Sequence, residues 1–305
     1  MVDATGKYRG FLLGICFIVL VSNSALAERI DAVKKYGGSY LDHYEKVSES
    51  NRFLKSTHRF RISLDTTYFD YQEEEGDLME EDGFMFGLKG DYTYHRGNRL
   101  MAGFSLEYLT GSLDYDGETW GGTPVKEDTD DWIIECRALA GYHFFLKGKH
   151  LLTPFLGIGY RYWNDDIGGA GGYEREVEYW YSPLGIKIDG LLSDKWTWGI
   201  SAEYDLFWKG KVKSHLSDVS SDFNDPKVNQ DFGDGYGLML SVRFERNLVR
   251  RYTLSIEPYF RYWNIDRSDT SIFSYSGEPI GYVYEPENET FCYGLRLGIV
   301  FQGQM

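Results

Sequence analysis

The sequence is poor in cysteine, with three in 305 residues. Cys16 lies inside an N-terminal apolar run behind the bulky Ile15, which excludes a lipoprotein site there. Cys136 and Cys292 fall in separate apolar-alternating segments, so a disulfide is open to them but nothing indicates one. No CxxC motif, no His/Cys cluster with zinc spacing and no EF-hand pattern occurs, and nothing calls for a cofactor or resident metal. The one long apolar run, Phe11 to Val21, is too short to cross a bilayer. Basic residues are also in deficit, 32 Lys and Arg against 47 Asp and Glu, for a net charge of −15. That balance argues against nucleic acid as a partner and is compatible with cations or basic peptides.

What is present begins with a leader. Lys7 and Arg9 precede the apolar run, and "ALA" at 25–27 has the small-x-small form of a cleavage site. Residues 1–27 are therefore expected to be a signal peptide for export. Removing them takes away Asp3, Lys7 and Arg9, leaving 46 acidic and 30 basic side chains and a net charge near −16. Residues 28–57 have weak helical character broken at Gly37-Gly38, and read as a short periplasmic segment.

Aromatic content is 17%, with 25 Tyr and 35 Gly, while mean hydropathy is low at −0.42. An exported chain of this kind fits a β-barrel, whose strands alternate between lipid and a polar interior. In "FMFGLKGDYTY", Phe84, Phe86, Leu88, Tyr92 and Tyr94 share one face, and Met85, Gly87, Lys89, Asp91 and Thr93 the other. Nine further stretches alternate similarly, beginning near Phe60, Leu100, Ile134, Leu152, Trp180, Trp196, Tyr236, Tyr252 and Phe291. Short turns (95–98, 146–150, 191–195, 246–250) alternate with long acidic connections (about 73–82, 113–131, 164–175, 210–233 and 264–289). The fold class expected is all-β, a ten-stranded antiparallel transmembrane barrel over 58–301. Its short turns would be periplasmic and its five long loops external, and the barrel would sit in the outer membrane of a Gram-negative cell.

Ten strands enclose a lumen that side chains nearly fill. The inward positions carry both signs, among them Asp65, Glu107, Glu135 and Glu257 against Arg61, Arg137, Arg261 and Arg296. A mixed set can pair and satisfy itself, which predicts an ion-paired plug rather than a conducting pore. Function is then expected at the external mouth, on the loops.

Of six histidines, only His215 falls on the external side, after the seventh strand, where odd-numbered positions are expected to face inward. Its imidazole suits general-base chemistry near neutral pH. Asp114 and Asp116, in "SLDYDGETW", sit at the same end after the third strand. Two close carboxylates can share a proton and, with a histidine, activate water.

The chain resembles the omptins, ten-stranded outer-membrane proteases, over the whole barrel in strand number, loop alternation and length. The local likeness lies in "SLDYDGETW" (112–120), "FWKGKVKSH" (207–215), "YWNIDRSDTSIFSY" (262–275) and the final strand. The resemblance implies an aspartate pair and an Asp-His pair that activate water, basic substrates, and a requirement for lipopolysaccharide. Asp114 and Asp116 would be the first pair and His215 the base. Two features depart from this. Lys213 stands where the family has the acid of the second pair, and Asp218 is at the wrong spacing to replace it. Uninterrupted alternation from Leu100 to Tyr108 also turns Asp114 and Asp116 outward, unless a one-residue bulge near Gly111 reverses them.

The sequence therefore favours a surface or structural outer-membrane barrel in contact with lipid and lipopolysaccharide. An omptin-like endopeptidase for basic peptides is the alternative, and a small pore the second alternative. The other acidic runs read as solvated loop carboxylates, or as weak divalent-cation binders between lipopolysaccharide-rich surfaces.

Overall fold

Ten long strands follow from the alternation, and a computed structural model closes them into a barrel. It describes residues 58–303 except 74–78, 97–98, 119–122, 147–149, 170 and 250–251. The leader and the segment 28–57 lie outside the described residues. The barrel strands are β1 (His58–Glu73), β2 (Met79–Arg96), β3 (Leu100–Glu118), β4 (Pro124–Tyr142), β5 (His150–Ile167), β6 (Glu174–Leu191), β7 (Trp196–Ser214), β8 (Gly235–Val249), β9 (Tyr252–Ile265) and β10 (Asn288–Gly303). Each pairs antiparallel with its sequence neighbour, and β10 pairs with β1 from His58↔Gly303 to Glu73↔Asn288, which closes the sheet without an edge.

Part of the expected long connections is wall. The segment expected as a loop at 113–131 is a hairpin, in which β3 and β4 stay in register to Glu118↔Pro124. Its inward positions supply the reason, because Leu113 and Thr129 are buried and continue the inner row of the barrel. Between β7 and β8 lie a short 3-10 turn, Leu216–Asp218, and a strand, Lys227–Gln230, that pairs with the tip of β7. Between β9 and β10 stands a hairpin of Ser271–Tyr275 and Glu278–Val283.

The surface is inverted relative to a water-soluble protein. Ile62, Leu64, Phe84, Phe86 and Leu156 are each about 60% exposed and form part of a continuous apolar belt around the wall. Aromatic contacts border the belt at the loop end, as in Tyr108–Trp132–Tyr162 and Tyr204–Tyr236–Tyr262. At the turn end Tyr92 packs on Phe60 and Tyr252 on Phe301.

The core is the lumen. The inward residues of β1 give its layers in order: Arg59 and Arg61, then Asp65, then Phe69 and Tyr71, then Glu73. The lower layers are a charge network. Arg296 reaches Asp65 and Glu107 at 2.7 Å each and Glu257 at 3.5 Å, and Arg261 binds Glu135 and Asp205. Paired charges of both signs satisfy one another here, as the mixed inward face leads one to expect. Above them Phe69, Trp163, Tyr179, Tyr181, Phe207 and Trp263 form an apolar layer. Gly159 provides the flat slot for Tyr181, whose ring would lie 2.2 Å from a Cβ there. Cys136 and Cys292 are free thiols, Cys292 buried in the lumen and Cys136 on the outward row of β4.

Candidate functional site

The register decides where the sequence-predicted residues lie. β3 runs beside β4 without a shift from Leu100↔Tyr142 onward, and Phe86↔Thr110 and Asp82↔Asp114 share one offset against β2. There is no bulge at Gly111, where a Cβ would stand 2.6 Å from the Phe84 carbonyl oxygen as the two strands pass. Leu113 points inward at 1% exposure, so Asp114 and Asp116 lie exposed on the outer face. Asp116 pairs there with Lys126. Asp114 lies in a rung of four aspartates, Asp70↔Asp82↔Asp114↔Asp128, across four neighbouring strands.

The bulge occurs on β7 instead. Tyr181 pairs with Phe207 but Trp180 pairs with Lys209, which leaves Trp208 as an extra residue. Asp205 and Phe207 are fully buried in the lumen; beyond the bulge the inward positions are Gly210 and Val212. The expectation that odd positions face inward at the end of this strand is therefore corrected: Lys209, Lys211 and Lys213 turn outward. His215 follows them. Its Nε2 lies 3.0 Å from Glu176 Oε1 and 2.9 Å from Lys213 Nζ, and Asp225 is 3.7 Å from Nδ1. Glu176 belongs to the outer row of β6, between the buried Arg175 and Val177. Asp218 accepts the Glu174 backbone N–H rather than the imidazole.

The structure does not bring Asp114, Asp116 and His215 together. β3 and β7 are four strands apart in a ten-strand barrel, and both groups face away from the lumen. The carboxylate orienting His215 is Glu176, which a search for an acid two residues before the histidine cannot find.

A second group, absent from the sequence reading, closes the lumen at the loop end. Glu81 of β2, Asp131 of β4 and Asp165 of β5 each offer one oxygen, all within 4.8 Å of one another. Their exposures are 0%, 1% and 0%. Arg175 is the cation in contact, 2.9 Å from Asp165, 3.4 Å from Glu285, 3.5 Å from Glu73 and 3.9 Å from Glu81. Its guanidinium also lies over the Tyr71 and Trp163 rings. On β2 the apolar belt begins at Phe84, so Glu81 is beyond it. Burial, and then the Asp165 carboxylate, push the Glu81 carboxyl well above the usual range, more than Arg175 draws it down. Burial and Glu285 push Glu73 up to about 7.

These residues come from the acidic runs 73–82, 126–131 and 164–166, read above as solvated loops. Half of that reading is corrected. The runs are strand, so alternate members turn inward: Glu73, Glu81, Asp131 and Asp165 are buried, while Glu80, Asp128, Asp130 and Asp166 are exposed and Asp82 is half-buried. Extending the inward parity of Lys89, Glu135 and Arg161 along their strands would have found them.

Comparison with known proteins gives the architecture a context. Neither a protein-family model nor a curated protein sequence matches the chain. Among solved structures, the outer membrane protease OmpT from Escherichia coli aligns over 81% of this chain and 96% of its own, with TM-score 0.59 and 11% identity. In fold, the chain is omptin-like. At that identity the likeness is one of fold, and the protease activity named belongs to OmpT. Two looser matches score too low for strand-by-strand comparison. The translocator domain of autotransporter NalP from Neisseria meningitidis has TM-score 0.41, 12% identity and coverage of 92% of this chain and 100% of its own. The outer membrane protein OprG from Pseudomonas aeruginosa has TM-score 0.38, 10% identity and coverage of 82% and 98%.

Proposed function

We propose that this omptin-like barrel serves a Gram-negative outer membrane as a surface-facing structural protein, without omptin-type catalysis. The observation that carries this reading is the placement of Asp114, Asp116 and His215 on the outer faces of strands four apart, with the plugged barrel between them. Water activation needs its base and carboxylates within hydrogen-bond reach of one reacting atom. The acids that do converge, Glu81, Asp131 and Asp165, are at most 1% exposed and offer a peptide no approach. The apolar belt is the surface for lipid, and the lysines of β7 above it suit lipopolysaccharide phosphates. The aspartate rung of β1–β4 is a surface for basic peptides.

The test is cleavage of a dibasic fluorogenic peptide by refolded protein with lipopolysaccharide. Wild type, His215→Ala and the Asp114→Asn/Asp116→Asn double variant are expected to show the same background rate. Turnover by wild type that either variant abolishes would reinstate the protease. Recording in planar bilayers is expected to give no steady ohmic steps, because the buried aromatic layer of Phe69, Trp163, Tyr181 and Trp263 blocks the lumen above the charge network. Regular steps would reinstate the pore.

A further inference from the structure

We propose that Glu81, Asp131 and Asp165 bind a hard divalent cation, calcium foremost, that ties β2, β4 and β5 together at the loop end of the lumen.

Three observations converge on this. The first is geometry: one oxygen of each residue lies within 4.8 Å of the others. Calcium holds oxygen ligands at about 2.3–2.6 Å, so two ligands of one ion stand as much as about 5 Å apart.

The second is how the carboxylates are held. Trp163 Nε1–H donates to Asp131 Oδ2, and Arg175 Nε–H donates to Asp165 Oδ2 at 2.9 Å. These bonds fix both groups and leave Asp131 Oδ1 and Asp165 Oδ1 without a hydrogen-bond partner. Both oxygens of Glu81, a fully buried side chain aimed into the same group, receive no N–H or hydroxyl donor and face the Asp165 carboxyl. Buried carboxylate oxygens without donors are strongly unfavourable, and one cation answers all of them at once.

The third is charge. Arg175 is shared among Glu73, Glu81, Asp165 and Glu285, too many carboxylates for one guanidinium. The donor set is oxygen alone, without His or Cys, which selects calcium- or magnesium-type ions over softer metals. The other acid group of similar spacing, Glu174, Glu176 and His215, is partly exposed and already holds the Lys213 ammonium 2.9 Å from the imidazole.

The experiment uses the full chain refolded in detergent free of lipopolysaccharide. Terbium is titrated with tryptophan excitation, since Trp163 bonds directly to Asp131. Expected is saturable emission at one ion per barrel, displaced by calcium and, at higher concentration, by magnesium. Glu81→Gln and Asp165→Asn should each weaken it at least tenfold. The outer-face double variant Asp114→Asn/Asp128→Asn should leave it unchanged. In parallel, calcium should raise the unfolding midpoint of wild type and of the outer-face variant, and a chelator should reverse the rise. That arm decides the matter if the lumen variants fail to refold. The proposal is overturned by absent saturable emission, by emission lost only in the outer-face variant, or by no midpoint shift at millimolar calcium. The last result, with Glu81→Gln more stable than wild type, would mean that the carboxyls share protons instead.

Discussion

Phe207 is wholly buried in the lumen, whereas Lys209, two positions on in the same strand, is exposed on the outer face. In an unbroken strand the two would share a face. The extra residue between them, Trp208, decides that the lysines and His215 look outward and that Val212 looks inward.

Deleting Trp208 is expected to be tolerated, because Phe207 and Gly210 would then flank the single outward residue Lys209 and Val212, now 2% exposed, would stay inward. The pairing of Gly210–Lys213 with Lys227–Gln230 should persist. Limited proteolysis read by mass spectrometry should then show the same protection of 210–233 as in wild type. New cuts within 210–233 would mean that Trp208 is not the extra residue of this strand.

Arg296 sits among Asp65, Glu107 and Glu257 with its guanidinium 3.7 Å over the Tyr259 ring. Arg296→Met leaves three buried carboxylates short of a cation and is expected to destabilise the barrel by about 3–5 kcal/mol. Adding Glu107→Gln should recover part of that loss. Guanidinium unfolding of the refolded variants measures both effects.

The two thiols should differ in reactivity. A maleimide is expected to label Cys136 on the outer wall of the native protein in detergent, and Cys292 only after unfolding. Mass determination before and after denaturation checks this, and no disulfide should form under oxidation because the residues face opposite sides of the wall.

Glu73 gives a pH dependence with a definite sign. Its carboxyl rises from 4.5 in the unfolded chain to about 7 in the fold, through burial and then Glu285. The folded state therefore holds the extra proton between those values. Its contribution is fully present below about 4.5 and is lost as pH rises towards 7, a change of about 3 kcal/mol at most. With chelator present, unfolding midpoints from pH 4 to 8 should fall less steeply for Glu73→Gln than for wild type. Parallel curves would refute the assignment.

Much of the architecture is legible in the residues. Leu64, Leu88 and Ile299 alternate with Asp65, Lys89 and Arg296, and in a strand a period of two is a statement about faces. The same count placed Asp114 and Asp116 outward without a bulge. It failed at His215, because nothing in "FWKGK" announces that Trp208 is the extra residue. It also stopped too early at the acidic runs, where charge suggested loop although the chain continues as wall.

The sequence by itself determined the strand number, the belt and the mixed charge of the lumen, because each follows from local alternation along single strands. The tertiary structure alone decided that Glu81, Asp131 and Asp165 meet and that His215 faces away. Those outcomes depend on the register between strands and on one inserted residue, and a register is a relation between segments that no single segment encodes.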